Sequence, residues 1–121
     1  MDNAQRYTGI VQENSRRGTE LGFPTINIPL GDDSLSGIYA AKVKVGEEKY
    51  WAAAYADQKR NVLEAHLLDL NKDLYGWNVT IELFEKIRET RQFKNDAELQ
   101  KAIAEDIVAV RAYFTKRSLP R

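Results

Sequence analysis

A chain of 121 residues with 43% hydrophobic content is sized for one domain, spanning 1–121, with a single core. Its 18 Lys and Arg offset 18 Asp and Glu, so no net basic excess draws it to nucleic acid or anionic lipid. It has no cysteine and one histidine, which excludes disulfides, zinc–thiolate centres, thiol catalysis and a two-histidine zinc helix within one chain. The N-terminus lacks the apolar run of a signal peptide, and nowhere do 18 apolar residues run together. The expectation is a cytoplasmic protein with no membrane span.

In chain order, residues 6–13 place Tyr7, Gly9 and Val11 on one alternating face, as in a strand. Residues 14–21 form a polar loop, 25–28 a short extended piece and 29–36 a turn-rich excursion. From Gly37, Tyr39, Ala41, Val43 and Val45 alternate with Ala40, Lys42 and Lys44, the pattern of a sheet with one wet face. Gly46-Glu47 predicts a hairpin returning through 49–55. After a polar connection at 57–61, strands are predicted at 62–70 and 78–87, separated by a turn at 71–76. The period then changes. Leu99, Ile103, Ile107, Val110 and Phe114 make a helical stripe, opened by an Asn95-x-x-Glu98 capping box and ended by Leu119-Pro120. Five or six antiparallel strands followed by one helix fit a small twisted barrel, with the helix over an edge or open end.

One stretch organises the candidate chemistry: Gly18-Thr-Glu-Leu-Gly-Phe-Pro-Thr-Ile-Asn27. Gly22 can take dihedrals that other residues avoid, and Pro24 pushes Phe23 toward an extended conformation. Thr25 and Asn27, two apart on an extended chain, share a face. Their hydroxyl and amide oxygens are hard ligands suited to Mg2+ that keeps several waters. The same residues also fit a plain surface turn.

Neither a Walker-type loop nor G-x-G-x-x-G occurs. Arg16 and Arg17 could cradle phosphate or simply be solvated. Glu64 interrupts a largely apolar face in Val62-Leu-Glu-Ala-His-Leu-Leu-Asp69, where a half-buried carboxylate could act as a general base or pair with a cation. His66 reads as a hydrogen-bonded structural residue. Tyr75, in Asp73-Leu-Tyr-Gly76, could cover a planar base. Arg88, Arg91 and Phe93 cluster before the helix, where a planar ligand could stack or an anion could pair.

Leu21-Gly-Phe-Pro-Thr-Ile-Asn27 resembles the riboflavin kinase family. The resemblance continues in register through Gly9-x-Val11, Arg17-Gly18, Gly37-Ile-Tyr-Ala40, Glu64-Ala-His-Leu-Leu-Asp69, Asp73-Leu-Tyr-Gly76, Lys86-Ile-Arg88, Phe93, Asp106-Ile107 and Ala112-Tyr-Phe114. It implies a mainly β fold, a small six-stranded antiparallel Greek-key barrel with a C-terminal α-helix. It also implies Mg2+-dependent transfer of the ATP γ-phosphoryl group to riboflavin, giving FMN and ADP. Carried over, Glu64 is the base, and Thr25 and Asn27 are ligands of the metal and nucleotide phosphates. Asn14, Arg17, Gly18, Thr19, Leu67, Asp69 and Tyr75 contact the nucleotide, while Arg88, Arg91 and Phe93 hold the flavin. The expected state is a monomer.

Three features depart from the family pattern. Asn14 stands where the second loop glycine usually falls, Thr19-Glu20 replaces a basic residue, and residues 53–61 stand in place of an Asn-x-Gly-x-x-Pro-Thr flap. They keep a second reading open, a flavin- or nucleotide-binding module of the same fold with weakened or lost catalysis. A third, a generic small-barrel interaction domain, requires Thr25, Asn27 and Glu64 to coincide by chance. In bacteria this kinase usually follows an FMN adenylyltransferase domain. The chain is expected to be a stand-alone kinase or a fragment of such a protein.

Overall fold

Period-two alternation drives the first two thirds of the chain into strands. The computed structural model describes residues 5–13 and 17–118. Its strands are β1 (Gln5–Ile10), β2 (Ile26–Pro29), β3 (Gly37–Val45), β4 (Glu48–Asp57), β5 (Val62–Leu67) and β6 (Asn78–Arg88). A four-residue helix, α1 (Arg17–Glu20), precedes β2, and a long one, α2 (Asp96–Ser118), follows β6. All neighbouring strands are antiparallel, in the order β1-β6-β3-β4-β5-β2.

The two end strands curl toward each other. The Gln12 N–H donates to the Asn27 carbonyl at 2.9 Å, and a Cβ on Gly9 would stand 3.1 Å from the Ile28 Cβ. Gly9 thus permits the close approach that nearly closes the barrel. Inside, Ile28, Val43, Leu63 and Ile81 are fully buried, each from an alternating position on a different strand. Leu74, from the connection between β5 and β6, packs into the same core.

The predicted alternation of β3 holds on its inner face, but the outer face is not uniformly wet. Ala40 is fully buried against Val110 and Phe114, and Trp51 stacks on Phe114 with ring centroids 5.3 Å apart. The helix therefore covers the barrel wall formed by β3, β4 and β6, not an edge or an open end. Trp51 and Phe84 point outward from β4 and β6, and Tyr113 and Phe114 of the helix pack against them. The start of α2 is as expected: the Glu98 N–H donates to Asn95 Oδ1 at 2.9 Å. Glu98 reaches back one residue further, accepting from the Lys94 N–H at 3.2 Å. The Leu119-Pro120 stop lies outside the described residues.

β5 ends at Leu67, short of the predicted 70, because the chain bends at Leu68 and Asp69. β3 begins against the end of β6 under tight constraint. Gly37 has φ +92°, and a Cβ there would lie 2.5 Å from the Arg88 carbonyl oxygen. Register shifts between β3 and β6 at Ile38/Tyr39 and Ala40/Ala41 bend this corner.

Candidate active site

Strand register assembles the site. β2 pairs with β5 so that Asn27 stands opposite Glu64, and β5 pairs with β4 so that Glu64 stands opposite Tyr55. Directly opposed residues share a face. Ile26, Ile28, Leu63 and Ala65 take the inside. Asn27, Glu64 and Tyr55 therefore form a row across the outer wall, with His66 next along β5.

A cleft of about 320 Å³ lies between this wall and the first turns of α2. Thr25, Arg60, Glu64, His66, Arg88, Arg91 and Phe93 border it, with Leu99 and Ile103 from the helix. The Glu64 side chain is only 17% exposed, and Arg60 Nη1 lies 2.6 Å from its Oε2. Burial pushes the Glu64 carboxyl above the usual glutamate range, against the opposing pull of that guanidinium. Asp57 holds Arg60 from the other side, accepting from its backbone N–H at 3.1 Å.

The far wall is cross-braced. Arg88 donates through Nε and Nη2 to the two oxygens of buried Asp106, both at 2.8 Å, and through Nη1 to the Glu89 carbonyl at 3.1 Å. Its guanidinium stands 5.7 Å from the Phe93 ring centroid, and that of Arg91 stands 5.1 Å away. The structure thus gathers Arg88, Arg91 and Phe93 as one wall. Arg88 shapes it through bonds to protein, and Arg91 is the more exposed of the two cations.

A second cleft, of about 700 Å³, opens on the other side of the 19–25 loop and is bordered by Gln12, Thr19, Gly22, Thr25, Asp73 and Tyr75. Thr25 borders both clefts. The Tyr75 N–H donates to Asp73 Oδ1 at 2.9 Å, and Gly76 turns the chain with φ +85°, leaving the Tyr75 ring 62% exposed.

The loop between the clefts is anchored from both. His66 Nδ1 lies 2.7 Å from the Pro24 carbonyl oxygen, which can only accept, so the proton is on Nδ1. The His66 ring meets Phe23 edge-on, with centroids 5.7 Å apart. Gln100 Nε2 donates to the Leu21 carbonyl at 3.0 Å, and Gly22 bends the loop with φ +92°.

Asn27 is 2% exposed and borders neither large cleft; its Oδ1 is buried with no hydrogen-bond partner among the described residues. An orphaned amide oxygen costs about 1–3 kcal/mol. A hard cation beside the Thr25 and Glu64 positions would satisfy it, so the donor set fits magnesium. Leu67 faces the core and borders a cavity of about 30 Å³ shared with Thr25 and Leu70. Asp69 is outside both large clefts, accepting from Arg111 Nη2 at 3.2 Å. Asn14 and Arg16 lie outside the described residues. Arg17 and Gly18 open α1, and the Arg17 side chain is likewise outside the described part.

Arg60 and Asp106 are site residues that the sequence reading did not single out. Arg60 gave no signal, since its pairing with Glu64 arises only where a turn closes β4 onto β5. Asp106 did leave one: a carboxylate between Ile103 and Val110, inside the apolar stripe of α2.

The family model described as flavokinase, riboflavin kinase, matches residues 1–114. A trifunctional RibF/MnmA protein of Mycoplasmoides gallisepticum is 34% identical over 93% of this chain, which covers 19% of that protein. Bifunctional riboflavin kinase/FMN adenylyltransferases of Buchnera aphidicola and Escherichia coli K12 are 33% and 34% identical over 88% of it, covering 38% and 37% of their lengths. The chain therefore spans between about a fifth and two fifths of these relatives. A solved structure described as a macrolide-efflux protein from Streptococcus pneumoniae superposes with TM-score 0.76 at 26% identity, over 89% of this chain and 38% of that one.

Proposed function

The chain belongs to the riboflavin kinase family, and from that premise we propose that it transfers the γ-phosphoryl group of ATP to the 5′-hydroxyl of riboflavin. The observation that carries this reading is Thr25 as common border of two clefts, one holding the half-buried Glu64 carboxylate and a cation–aromatic wall, the other an exposed tyrosine. Two substrates that exchange one group need such a shared edge. The isoalloxazine lies against Phe93 and Arg91, with its ribityl chain directed to Glu64. The nucleotide occupies the second cleft, its base along Tyr75 and its phosphates toward Thr19 and Thr25.

In the reaction, Glu64 accepts the proton of the attacking hydroxyl, and the raised affinity of its carboxyl for protons suits that task. The hydroxyl oxygen bonds to the γ-phosphorus as the bridge to ADP breaks, so catalysis rests on alignment and charge neutralisation. Riboflavin kinases use ATP with a divalent metal; Thr25 and Asn27 would hold Mg2+, which would neutralise phosphate charge. His66, through Pro24, and Gln100, through Leu21, hold the intervening loop in place.

One observation favours the rival reading of a binding module without turnover: Arg60 occupies the carboxylate that must accept the proton. Incubation with ATP, Mg2+ and riboflavin separates the two. FMN formation supports the kinase, and flavin binding with no FMN rejects it.

A further inference from the structure

Arg60 has no part in the mechanism above, yet among the described residues it is the cation paired with the reacting carboxylate. It sits in the four-residue turn between β4 and β5, where Asn61 takes φ +56° to close the hairpin. Its side chain is 44% exposed, borders the acceptor cleft, and lies between two carboxylates. Glu64 Oε2 is at 2.6 Å and Asp57 Oδ2 at 3.8 Å from the same Nη1. Asp57 is buried, and its backbone contact at 3.1 Å fixes the base of the turn. The guanidinium is therefore tethered at its root and has a second partner when the first is lost.

We propose that Arg60 is the phosphomonoester-binding residue of the acceptor cleft, exchanging Glu64 for the phosphoryl group as that group arrives on the acceptor oxygen. The proposal rests on the kinase reading for the identity of the acceptor. The attacking O–H bond breaks with its proton passing to Glu64 Oε2, the new P–O bond forms, and the bond to ADP breaks. The phosphomonoester forms beside the carboxyl that Arg60 contacts, and Arg60, 44% exposed and held at its root by Asp57, can turn from Glu64 to that anion. A planar guanidinium suits such an anion, offering two parallel N–H donors. Asp57 keeps the side chain in the cleft during the exchange.

The residue would thereby distinguish product from substrate. Quenching of flavin fluorescence, titrated with riboflavin and separately with FMN in the absence of nucleotide, reads that preference directly. The wild-type protein is expected to bind FMN more tightly than riboflavin. Arg60→Met should weaken FMN binding about tenfold and leave riboflavin within about twofold, the effect expected for loss of one charge-assisted contact. Arg60→Lys should restore part of the difference, which a purely structural role would not produce. Equal loss of both affinities in Arg60→Met, or an unchanged ratio, overturns the proposal while leaving the kinase reading intact. No binding of either flavin by the wild type overturns both. Circular dichroism on each variant identifies a folding failure, in which case Arg60→Lys against the wild type decides on the same ratio.

Discussion

The two clefts that meet at Thr25 are built from different material. The first cleft, proposed to take the acceptor, is walled by β4, β5 and α2 together with the 21–25 and 90–93 connections, and it is braced by ion pairs, Arg88 to Asp106 across one side and Arg60 to Glu64 across the other. The second cleft, proposed to take the donor, is walled almost wholly by connections, residues 11–13, 22–25 and 71–75, with Thr19 from α1 and Ile26 from β2. A reaction that must place a hydroxyl within hydrogen-bond reach of one carboxylate needs its acceptor held rigidly. A polyphosphate bound through backbone groups and a stacked base tolerates a more adaptable frame. The difference implies that damage to the acceptor side will lower turnover or stability, and damage to the donor side mainly nucleotide affinity.

The largest effect is expected at the base. Glu64→Gln keeps the shape of the acceptor cleft and removes the proposed proton acceptor, so kcat should fall about 10²–10⁴-fold while riboflavin affinity holds. Turnover within tenfold of wild type would assign the base elsewhere. The pH profile gives a second reading of the same residue. Burial raises the Glu64 pKa, so the ionised form that the proposed base requires is lost on acidification through a value above the usual glutamate range. The acid limb of kcat/KM should lie correspondingly high.

Next comes the corner that carries the braced wall. In Gly37→Ala, both the positive φ and a Cβ 2.5 Å from the Arg88 carbonyl oppose the new methyl group. We expect a loss of about 2–3 kcal/mol in urea unfolding. Riboflavin affinity should weaken with it, because displacing Arg88 disturbs the Asp106 pair and Phe93, whereas ATP affinity should be preserved. Equal loss of both affinities would show that the clefts are not mechanically separate.

On the donor side the expected effect is smaller and purely on binding. Tyr75 is 62% exposed, so Tyr75→Ala should leave the melting temperature unchanged. Loss of a stacking surface for the base should raise the KM for ATP about tenfold, by analogy with aromatic–base stacking elsewhere. An unchanged KM would place the base away from this turn.

These contrasts bear on what could be read without coordinates. Alternation in β3, β4 and β6 and the Asn95 cap are local, so strand positions and the start of α2 were legible. The resting place of α2 was not, because a helical stripe specifies an apolar face without naming the wall it covers. Phe114 finds Trp51 only once β3 and β4 are aligned. The same holds for the site. Thr25, Asn27 and Glu64 could be singled out as residue types, but the opposition of Asn27 and Glu64 is a property of β2–β5 register. Arg60 and Asp106 matter only through partners that the fold brings to them.

A third region gives the comparison a control, since the 31–36 excursion borders neither large cleft. It is fixed to β1 by the Tyr7 hydroxyl, which donates to Asp32 Oδ2 at 2.8 Å, and internally by the Ser34 N–H and hydroxyl on Asp32 Oδ1. Burial, reinforced by Asp32, pushes the Tyr7 phenol up to about 12 from an ordinary value of 10.0. The folded state therefore holds the proton more tightly than the unfolded chain. Its stabilisation is fully present below about pH 10 and is lost as the pH rises toward 12. Tyr7→Phe should cost about 1 kcal/mol at neutral pH and flatten the fall in stability over that alkaline window. Both substrate affinities should stay as they are. If either moves, the excursion communicates with a cleft and cannot serve as the control.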